Sequence, residues 1–305
     1  MPDRRILRPL ASGRSAIVLA IGLLGATAVA TAIAAAPRID DTRLVVGDQR
    51  YAAKPTAGSV FACRRQQGPG GAGIDGPWFN GDGTWDRTKK VHVRGRVHWP
   101  AARNVEKLAG AWRMIRTNAL PSGSVTGTFP VGAADPAYAY DRNPNAISAH
   151  TIAIRVPAKP RLAARASCIG AEVGIATNGV PIFNAFDAGG RDAGAHEVQD
   201  RCDGHPQEQG VYHYHDISAC LDMPGANPSS LVGYAFDGFG IYGSRDASGR
   251  VLTDADLDAC HGTTSLVRWQ GRRVRMYHYV ATHGFPYTVG CFRGTPAVRG
   301  PLVTP

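Results

Sequence analysis

The sequence has few charged residues, and very few of its cations are lysine. Only 19% of the 305 residues are charged, whereas 44% are hydrophobic, and lysine supplies five of the 34 cationic side chains. Glycine and proline are abundant, at 37 and 21 residues. This composition excludes a disordered chain and a coiled coil. The chain is also long enough to bury a core without a structural metal, so disulfides would only reinforce it.

The sequence lacks the motifs of nucleic-acid binding, although its formal net charge is +10. Beyond residue 36 the arginines are scattered, with local clusters only at 64–65 and 272–275. No basic helix pattern, RNP-like motif or interleaving of aromatic and basic residues is present. We therefore expect no nucleic-acid partner, and we expect no nucleotide cofactor.

No charged residue occurs between Ser15 and Pro37, and arginines precede this segment. Small residues recur at 28–30 and 32–34, as signal peptidase requires. The pattern predicts a signal peptide over residues 1–36, of the Sec or the twin-arginine type. The alternative is an uncleaved N-terminal anchor, and only then would a membrane be a partner. We expect an exported protein: secreted, periplasmic or attached to the cell envelope, with a net charge of about +7 after cleavage.

The sequence has no CxxC pair, which disfavours a zinc knuckle or a thioredoxin-like site. Six cysteines in an exported chain predict three disulfides, with fifteen possible pairings. Pairs that are near in sequence close loops within one substructure. On that ground we favour Cys63–Cys168, Cys202–Cys220 and Cys260–Cys291.

Strand patterns dominate the rest of the chain. Residues 91–99 and 147–156 alternate with a period of two, which is typical of strands. Helices are predicted only at 105–115 and at 253–257, where Thr253 can cap. The expected fold is mainly β, sandwich-like or α+β, with short helices. We divide it into an exposed leader (37–57), a β-rich part (58–160) and a second part (161–305), packed together as one unit.

Seven of the ten histidines lie between residues 168 and 294. The string Tyr212-His213-Tyr214-His215 lies between Val211 and Asp216-Ile217, so in a strand its histidines would share a face with Val211 and Ile217. Residues two apart in a strand share a face, so His213 and His215 would point the same way. Two converging imidazoles can bind a metal ion, or they can form a hydrogen-bonded pair within the core. The spacing alone does not favour either interpretation.

A second string, Tyr277-His278-Tyr279-Val280, is similar to the first, which suggests that the two strands pair with their histidines on one face. His278 is then a third ligand or a core residue.

Further candidate ligands are the histidines that lie in glycine-rich or loop segments of the same part of the chain: His196, His205 and His261. Glu197 and Asp237 are candidate acids or bases, and Tyr212 and Tyr214 are candidate hydrogen donors. Asp237 could also be a ligand or simply cap a turn.

The ordered motifs of this part resemble those of the YHYH-domain family. They are 178–184, 196–200, 202–206, 212–215, 233–243, 257–262, 277–279 and 286–294. The resemblance implies an exported, disulfide-bearing, β-rich protein, but it implies no reaction. It also implies a second YHYH string, and this sequence departs from that pattern at Val280.

Imidazole ligands without thiolate favour zinc or copper over calcium or magnesium. We therefore predict a divalent transition-metal site, and a metal-activated water acting on an extracellular ester, amide or glycan if the protein is an enzyme. No GxSxG motif offers a serine nucleophile. The alternative is a non-enzymatic extracellular binding or cell-surface module with structural histidines. Its partner would be an extracellular small molecule, glycan or protein.

Overall fold

The computed structural model of the protein describes residues 39–216, 218, 220–221 and 228–303. These residues belong to one compact unit, Ala36–Pro305. The predicted signal peptide or anchor, residues 1–36, lies outside the described residues. Within the described residues, the structure contains no helix with the length and apolar character needed to cross a membrane.

The predicted mainly β fold with short helices is confirmed. The strands of the first half of the chain are β1 (Leu44–Val45), β2 (Thr84–Trp85), β3 (Val97–His98), β4 (Asn104–Ala109), β5 (Trp112–Thr117), β6 (Val125–Thr126) and β7 (Ile152–Pro157). Those of the second half are β8 (Glu172–Ala176), β9 (Pro181–Phe183), β10 (Gly204–Pro206), β11 (Tyr212–Tyr214), β12 (Leu231–Ala235), β13 (Gly240–Tyr242), β14 (Gly262–Trp269) and β15 (Arg272–Val280). Among the described residues the helices are α1 (Ala193–His196) and three 3-10 turns, Arg87–Lys89, Pro136–Ala139 and Asp254–Asp256.

The strands β8 to β15 form one mixed sheet of eight strands, in the order β10-β11-β9-β8-β12-β13-β15-β14. The pairs β11–β9 and β13–β15 are parallel, and the other neighbours are antiparallel. Most of these strands are buried on both faces, and only β14 and the first half of β15 carry exposed residues. The core of the protein therefore lies around this sheet.

The eight strands consist of two similar halves, which we name the first repeat (residues 172–216) and the second repeat (residues 231–281). Each contributes a hairpin and then two further strands, in the spatial order 8-9-11-10 and 12-13-15-14. The halves meet where β8 pairs with β12, with Ile175 opposite Tyr234. Gly174 faces Ala235 and Ala176 faces Gly233, so the pairing is symmetric about that point. A local two-fold axis thus relates the repeats.

Matching hydrogen bonds support the same relation. The carboxylate of Asp200 accepts from the N–H of Cys202, and that of Asp258 accepts from the N–H of Cys260, at 2.8 and 2.9 Å. Each hairpin also turns at a glycine with positive φ, 91° at Gly179 and 89° at Gly238. The sequence similarity of the two histidine strings is therefore part of a repeat of about 45 to 50 residues.

A smaller sheet of three strands, β4-β5-β7, contacts the large sheet through an arginine. The guanidinium of Arg113 lies 4.1 Å from the ring centroid of Tyr234 and 5.0 Å from that of Trp269. The helix predicted at 105–115 is wrong, because β4 and β5 form a hairpin there. Gly110, with φ 60°, allows the tight turn between Ala109 and Trp112.

The other local predictions have mixed outcomes. The strand predicted at 91–99 is limited to β3, because Gly95 adopts φ 129° and interrupts the extended run. The strand predicted at 147–156 begins only at Ile152, and Ile152 and Val156 are buried on the predicted face. The short helix near 253–257 is confirmed, and a capping box joins Thr253 to Asp256.

Segment 37–57 is only partly exposed from residue 39 onward. Leu44 is buried, and the N–H of Gly47 donates to the Asp192 carboxylate at 2.8 Å. Burial raises the pKa of Asp192 to about 6, although its hydrogen bonds to Tyr287 and Gly47 act in the opposite direction. The segment therefore contacts the start of α1.

The three disulfides that we favoured from the sequence are confirmed. Cys63 pairs with Cys168, Cys202 with Cys220, and Cys260 with Cys291. Cys202 and Cys260 occupy equivalent positions in the two repeats, two residues before the first glycine of β10 and β14. Each of these two disulfides therefore fixes the entry to the outer strand of its repeat.

Candidate metal centre

Three histidines of the first repeat lie on one face of neighbouring strands. In the antiparallel pair β10–β11, His205 stands directly opposite His213, so both side chains project on the same side. His215 follows two residues after His213 and returns to that side. Strand register therefore gathers imidazoles from two strands and from the residue that follows β11.

The three imidazoles are close together and buried. One ring nitrogen from each of His205, His213 and His215 lies within 4.8 Å of the others. Their exposed fractions are 3%, 3% and 2%. The Nε2 atoms of His213 and His215 are only 2.9 Å apart. Among the described residues, this is the one group of three side chains whose spacing suits a metal ion.

Backbone carbonyls fix which nitrogen of two rings carries the proton. The Nδ1 of His213 lies 3.0 Å from the carbonyl oxygen of Val211, and the Nδ1 of His215 lies 2.6 Å from that of Asn184. A carbonyl only accepts, so each Nδ1 donates, and each neutral ring has its lone pair on Nε2. In these neutral tautomers the two lone pairs face each other at 2.9 Å, and either a shared proton or a metal cation would relieve their repulsion. This is the common way in which proteins orient metal-binding histidines.

Burial disfavours protonation of these two rings. It lowers the pKa of His213 well below the ordinary range, and the neighbouring imidazoles of His205 and His215 lower it further. Burial also lowers the pKa of His215 to about 4, although the Glu197 carboxylate opposes this effect. Both rings are therefore neutral at neutral pH, which is the form that binds metals.

Glu197 completes the cluster from the end of α1. Asp192 caps this short helix by accepting from Ala195, and Glu197 is its C-terminal cap. The Oε2 of Glu197 lies 3.3 Å from the Nε2 of His205 and 3.4 Å from the Nε2 of His215. Its side chain is buried, and neither Oε2 nor the Nε2 of His205 has an aligned hydrogen-bond partner among the described residues.

The charges of Glu197 and His205 stabilise each other. Burial alone would raise the pKa of Glu197, but the imidazoles of His205 and His215 outweigh it and lower the pKa to about 2. Burial would likewise lower the pKa of His205, yet the Glu197 carboxylate raises it overall. The Nδ1 of His205 is 3.5 Å from the Asn143 amide, at the outer limit of a hydrogen bond, so this ring is the least firmly oriented of the three.

An aromatic ring forms one wall of the cluster. The Phe183 ring centroid lies 4.1 Å from that of His213 and 5.8 Å from that of His215. This residue ends β9, next to Asn184, whose carbonyl orients His215. Sequence reasoning missed Phe183 and Asn184 as part of the centre. The signal available was their place at the end of the 178–184 motif.

The tyrosines of the first string lie on the opposite face of β11. The Tyr212 hydroxyl donates to the Asp200 carboxylate at 2.9 Å, and the Tyr214 hydroxyl accepts from the Asn178 amide at 2.9 Å. Burial raises the pKa of both phenols. The structure does not bring Tyr212 or Tyr214 to the histidine cluster, and both are held in the core.

The second histidine string lies far from the first in the sheet. The strands β9, β8, β12 and β13 separate β11 from β15, so the predicted pairing of the two strings is wrong. The two-fold arrangement places them in opposite halves instead. The Nδ1 of His278 lies 3.1 Å from the Met276 carbonyl, and its ring packs edge-on against Tyr242. The structure therefore does not bring His278 to the cluster.

The remaining candidates have separate partners. His196 lies between Asp48 and Asp75, with its Nε2 3.0 Å from one carboxylate and its Nδ1 3.0 Å from the other. His261 contacts the hydroxyl of Thr282 at 3.0 Å. Asp237 accepts from the Tyr279 hydroxyl at 2.6 Å and from the N–H groups of Phe239 and Gly294. The structure therefore brings none of these three residues to the cluster.

The second repeat retains only part of the same arrangement. Thr263 stands opposite His278, as His205 stands opposite His213. Val280 follows where His215 follows in the first string. At these three positions the second repeat therefore has one imidazole, whereas the first repeat has three.

Comparison with known proteins finds a family match in the central segment. Residues 153–253 match the family described as YHYH protein. The matched segment contains the whole first repeat and the four residues of the cluster. It ends before the motifs at 257–262, 277–279 and 286–294, so the YHYH match covers only the start of the second repeat. No curated protein and no solved structure matches the chain.

Proposed function

We propose that the protein is an exported metal-binding protein that holds one divalent transition-metal ion in its first repeat. His205, His213 and His215 would bind the ion, with Glu197 as the fourth ligand. The observation that carries the proposal is the pair of Nε2 lone pairs facing each other at 2.9 Å. A bound cation satisfies both of them, whereas an ordinary hydrogen bond between two neutral rings cannot form in this tautomer.

The donor set favours zinc or copper. Three imidazoles and one carboxylate are typical ligands of these ions, whereas calcium and magnesium prefer a shell made of oxygen atoms alone. The ion would neutralise the buried carboxylate of Glu197 and join three segments of the first repeat: α1, β10 and the end of β11. A tetrahedral zinc site uses four such ligands.

The burial of the cluster favours a closed site over a hydrolytic one. A catalytic zinc keeps one position for water or substrate, but here four side chains converge and each of the four residues is at most 6% exposed. Asp237, Tyr212 and Tyr214, the other residues predicted for hydrolysis, contact other parts of the core. We therefore favour a role in stabilisation or electron transfer for the ion over hydrolysis of an ester, amide or glycan.

Export is part of the proposal. Three disulfides are typical of proteins from oxidising compartments. The uncharged segment that follows the N-terminal arginines has the pattern of a secretory signal.

Elemental analysis of the purified mature protein tests the metal site. We expect about one zinc or copper ion per chain, and its loss in H213A. The matched control is H278A, which removes the equivalent histidine of the second repeat and should keep the ion. Near-UV circular dichroism shows whether each variant folds, and chelation of the wild-type protein gives a second measurement that needs no substitution. A folded wild-type protein that takes up no stoichiometric zinc or copper would support purely structural histidines instead.

A further inference from the structure

A cavity of about 640 Å³ lies at the opposite end of the β8–β9 hairpin from its turn. Its walls come from the segment after Cys63, from the start of β8 and from the C-terminal residues 296–301. Pockets of 300 to about 1,000 Å³ are typical of small-molecule sites. None of the four proposed metal ligands lines it, and the two sites share only Asn184, whose carbonyl orients His215.

Much of the cavity wall is apolar. Phe236 and Phe292 are buried side chains of the core that reach it, and Val298 and Pro301 cover it from the C-terminal segment. The apolar part of a small ligand would bind favourably here, because its transfer out of water lowers the free energy.

The charged residues of the wall are mostly cationic. Arg64, Arg65 and Arg299 line the cavity. Among the described side chains, no carboxylate forms an ion pair with any of these three guanidinium groups, whereas other arginines such as Arg87 and Arg191 do form such pairs. Arg65 has an aromatic contact instead, 5.4 Å from the Tyr51 ring centroid.

The one carboxylate that lines the cavity already has a partner. The Oε1 of Glu172 accepts from the N–H of Leu302 at 3.1 Å. Burial raises the pKa of this carboxyl. Three arginines beside an apolar wall therefore form a cationic rim with little compensation.

We propose that this cavity binds a small organic anion, with an apolar body against the Phe236–Phe292 wall and a carboxylate, sulfonate or phosphate group at the arginines. Guanidinium groups suit such oxyanions because they offer several donors in one plane. The site does not depend on the proposed metal centre.

Two fluorescent probes of similar shape test the proposal. 8-Anilinonaphthalene-1-sulfonate carries an anionic group, and N-phenyl-1-naphthylamine lacks it. We expect saturable binding of the sulfonate to the folded protein, at least about tenfold tighter than that of the neutral probe. The titrations are made with metal-loaded and with chelated protein, so failure here is distinguishable from failure of the metal site.

The triple variant R64Q/R65Q/R299Q should weaken sulfonate binding at least about tenfold and leave the neutral probe unaffected. These arginines are exposed, so the variant should keep the wild-type melting temperature. The matched control R272Q/R273Q/R275Q removes the same charge from exposed positions of β15 and should bind the sulfonate normally. Equal binding of the two probes, or equal loss in both triple variants, would overturn the proposal.

Discussion

The two repeats of the large sheet have the same strand arrangement, but the side chains on their outer strands differ. In both, a histidine of the string donates its Nδ1 proton to the carbonyl two residues earlier, at His213 and at His278. In both, an aromatic ring lies against that histidine, from Phe183 or Tyr242. The fold therefore fixes the orientation of one imidazole in each half.

The difference lies in the neighbours of that imidazole. The first repeat adds His205, His215 and Glu197, whereas the second has Thr263 and Val280 at the two positions defined by the strands. The same scaffold thus carries three imidazoles and a buried carboxylate in one half, and in the other a single imidazole beside Thr263 and Val280. The comparison shows that a YHY string alone does not form the centre, because the opposite strand and the last histidine decide it.

Removal of the metal should have the largest effect on stability, and this effect should depend on the histidines of the first repeat. An ion that binds only the folded state stabilises it by about 4 kcal/mol at about 1,000 times its Kd, which raises Tm by on the order of 10 °C for a chain of this size. We expect a chelator to lower the Tm of the wild-type protein and of H278A by this amount. Differential scanning calorimetry measures the shift. The folded H213A variant should not respond, and a response equal to that of the wild type would place the ion elsewhere.

Substitution of Glu197 should reduce the metal affinity less than substitution of His213 does. E197Q removes the negative charge beside the proposed ion and keeps nearly the same side-chain volume, so we expect zinc affinity to fall about tenfold or more. Competition with a chromophoric chelator measures the change. The control is E172Q, which alters a partly buried acid that is not one of the proposed ligands and should bind zinc as the wild type does. Normal affinity in E197Q would exclude the carboxylate as a ligand.

Phenylalanine substitutions at Tyr214 and Tyr279, which follow His213 and His278, should have the smallest effects. We expect the loss of unfolding free energy to be larger for Tyr279, in the second repeat. Y279F removes a donor from the buried Asp237 carboxylate and an acceptor from the Arg293 N–H, which we expect to cost about 3 kcal/mol. Y214F removes hydrogen bonds to the neutral side chains of Asn178 and Ser218 and should cost about 1 to 2 kcal/mol. Urea denaturation measures both. Equal losses would contradict the assigned hydrogen bonds, and neither substitution should change metal content.

Several features of this comparison follow from the sequence alone. The period of two along β11 predicts that His213 and His215 share a face and that the tyrosines occupy the other. The even number of cysteines predicts three disulfides, and proximity in sequence favours Cys202–Cys220 and Cys260–Cys291, 18 and 31 residues apart, which leaves Cys63 for Cys168. Thr253 and Asp256 identify a short capped helix.

Other features depend on long-range pairing that local patterns do not encode. His205 reaches the cluster only through the register of β10 against β11, and Glu197 only through the path of α1. The similarity of the two strings suggested neighbouring strands, but the central β8–β12 pair places them in opposite halves. At 105–115 the apolar spacing favoured a helix, although Val105 and Leu108 are about half exposed on a hairpin.

The central claim is that one repeat holds a metal ion and the other does not. Anomalous diffraction from crystals of metal-loaded protein, measured at the zinc or copper absorption edge, tests it most directly. We expect one anomalous peak between the Nε2 atoms of His213 and His215, within bonding distance of His205, and none beside His278. A metal-loaded crystal with no peak among these three histidines, or with its peak in the second repeat, would contradict the account.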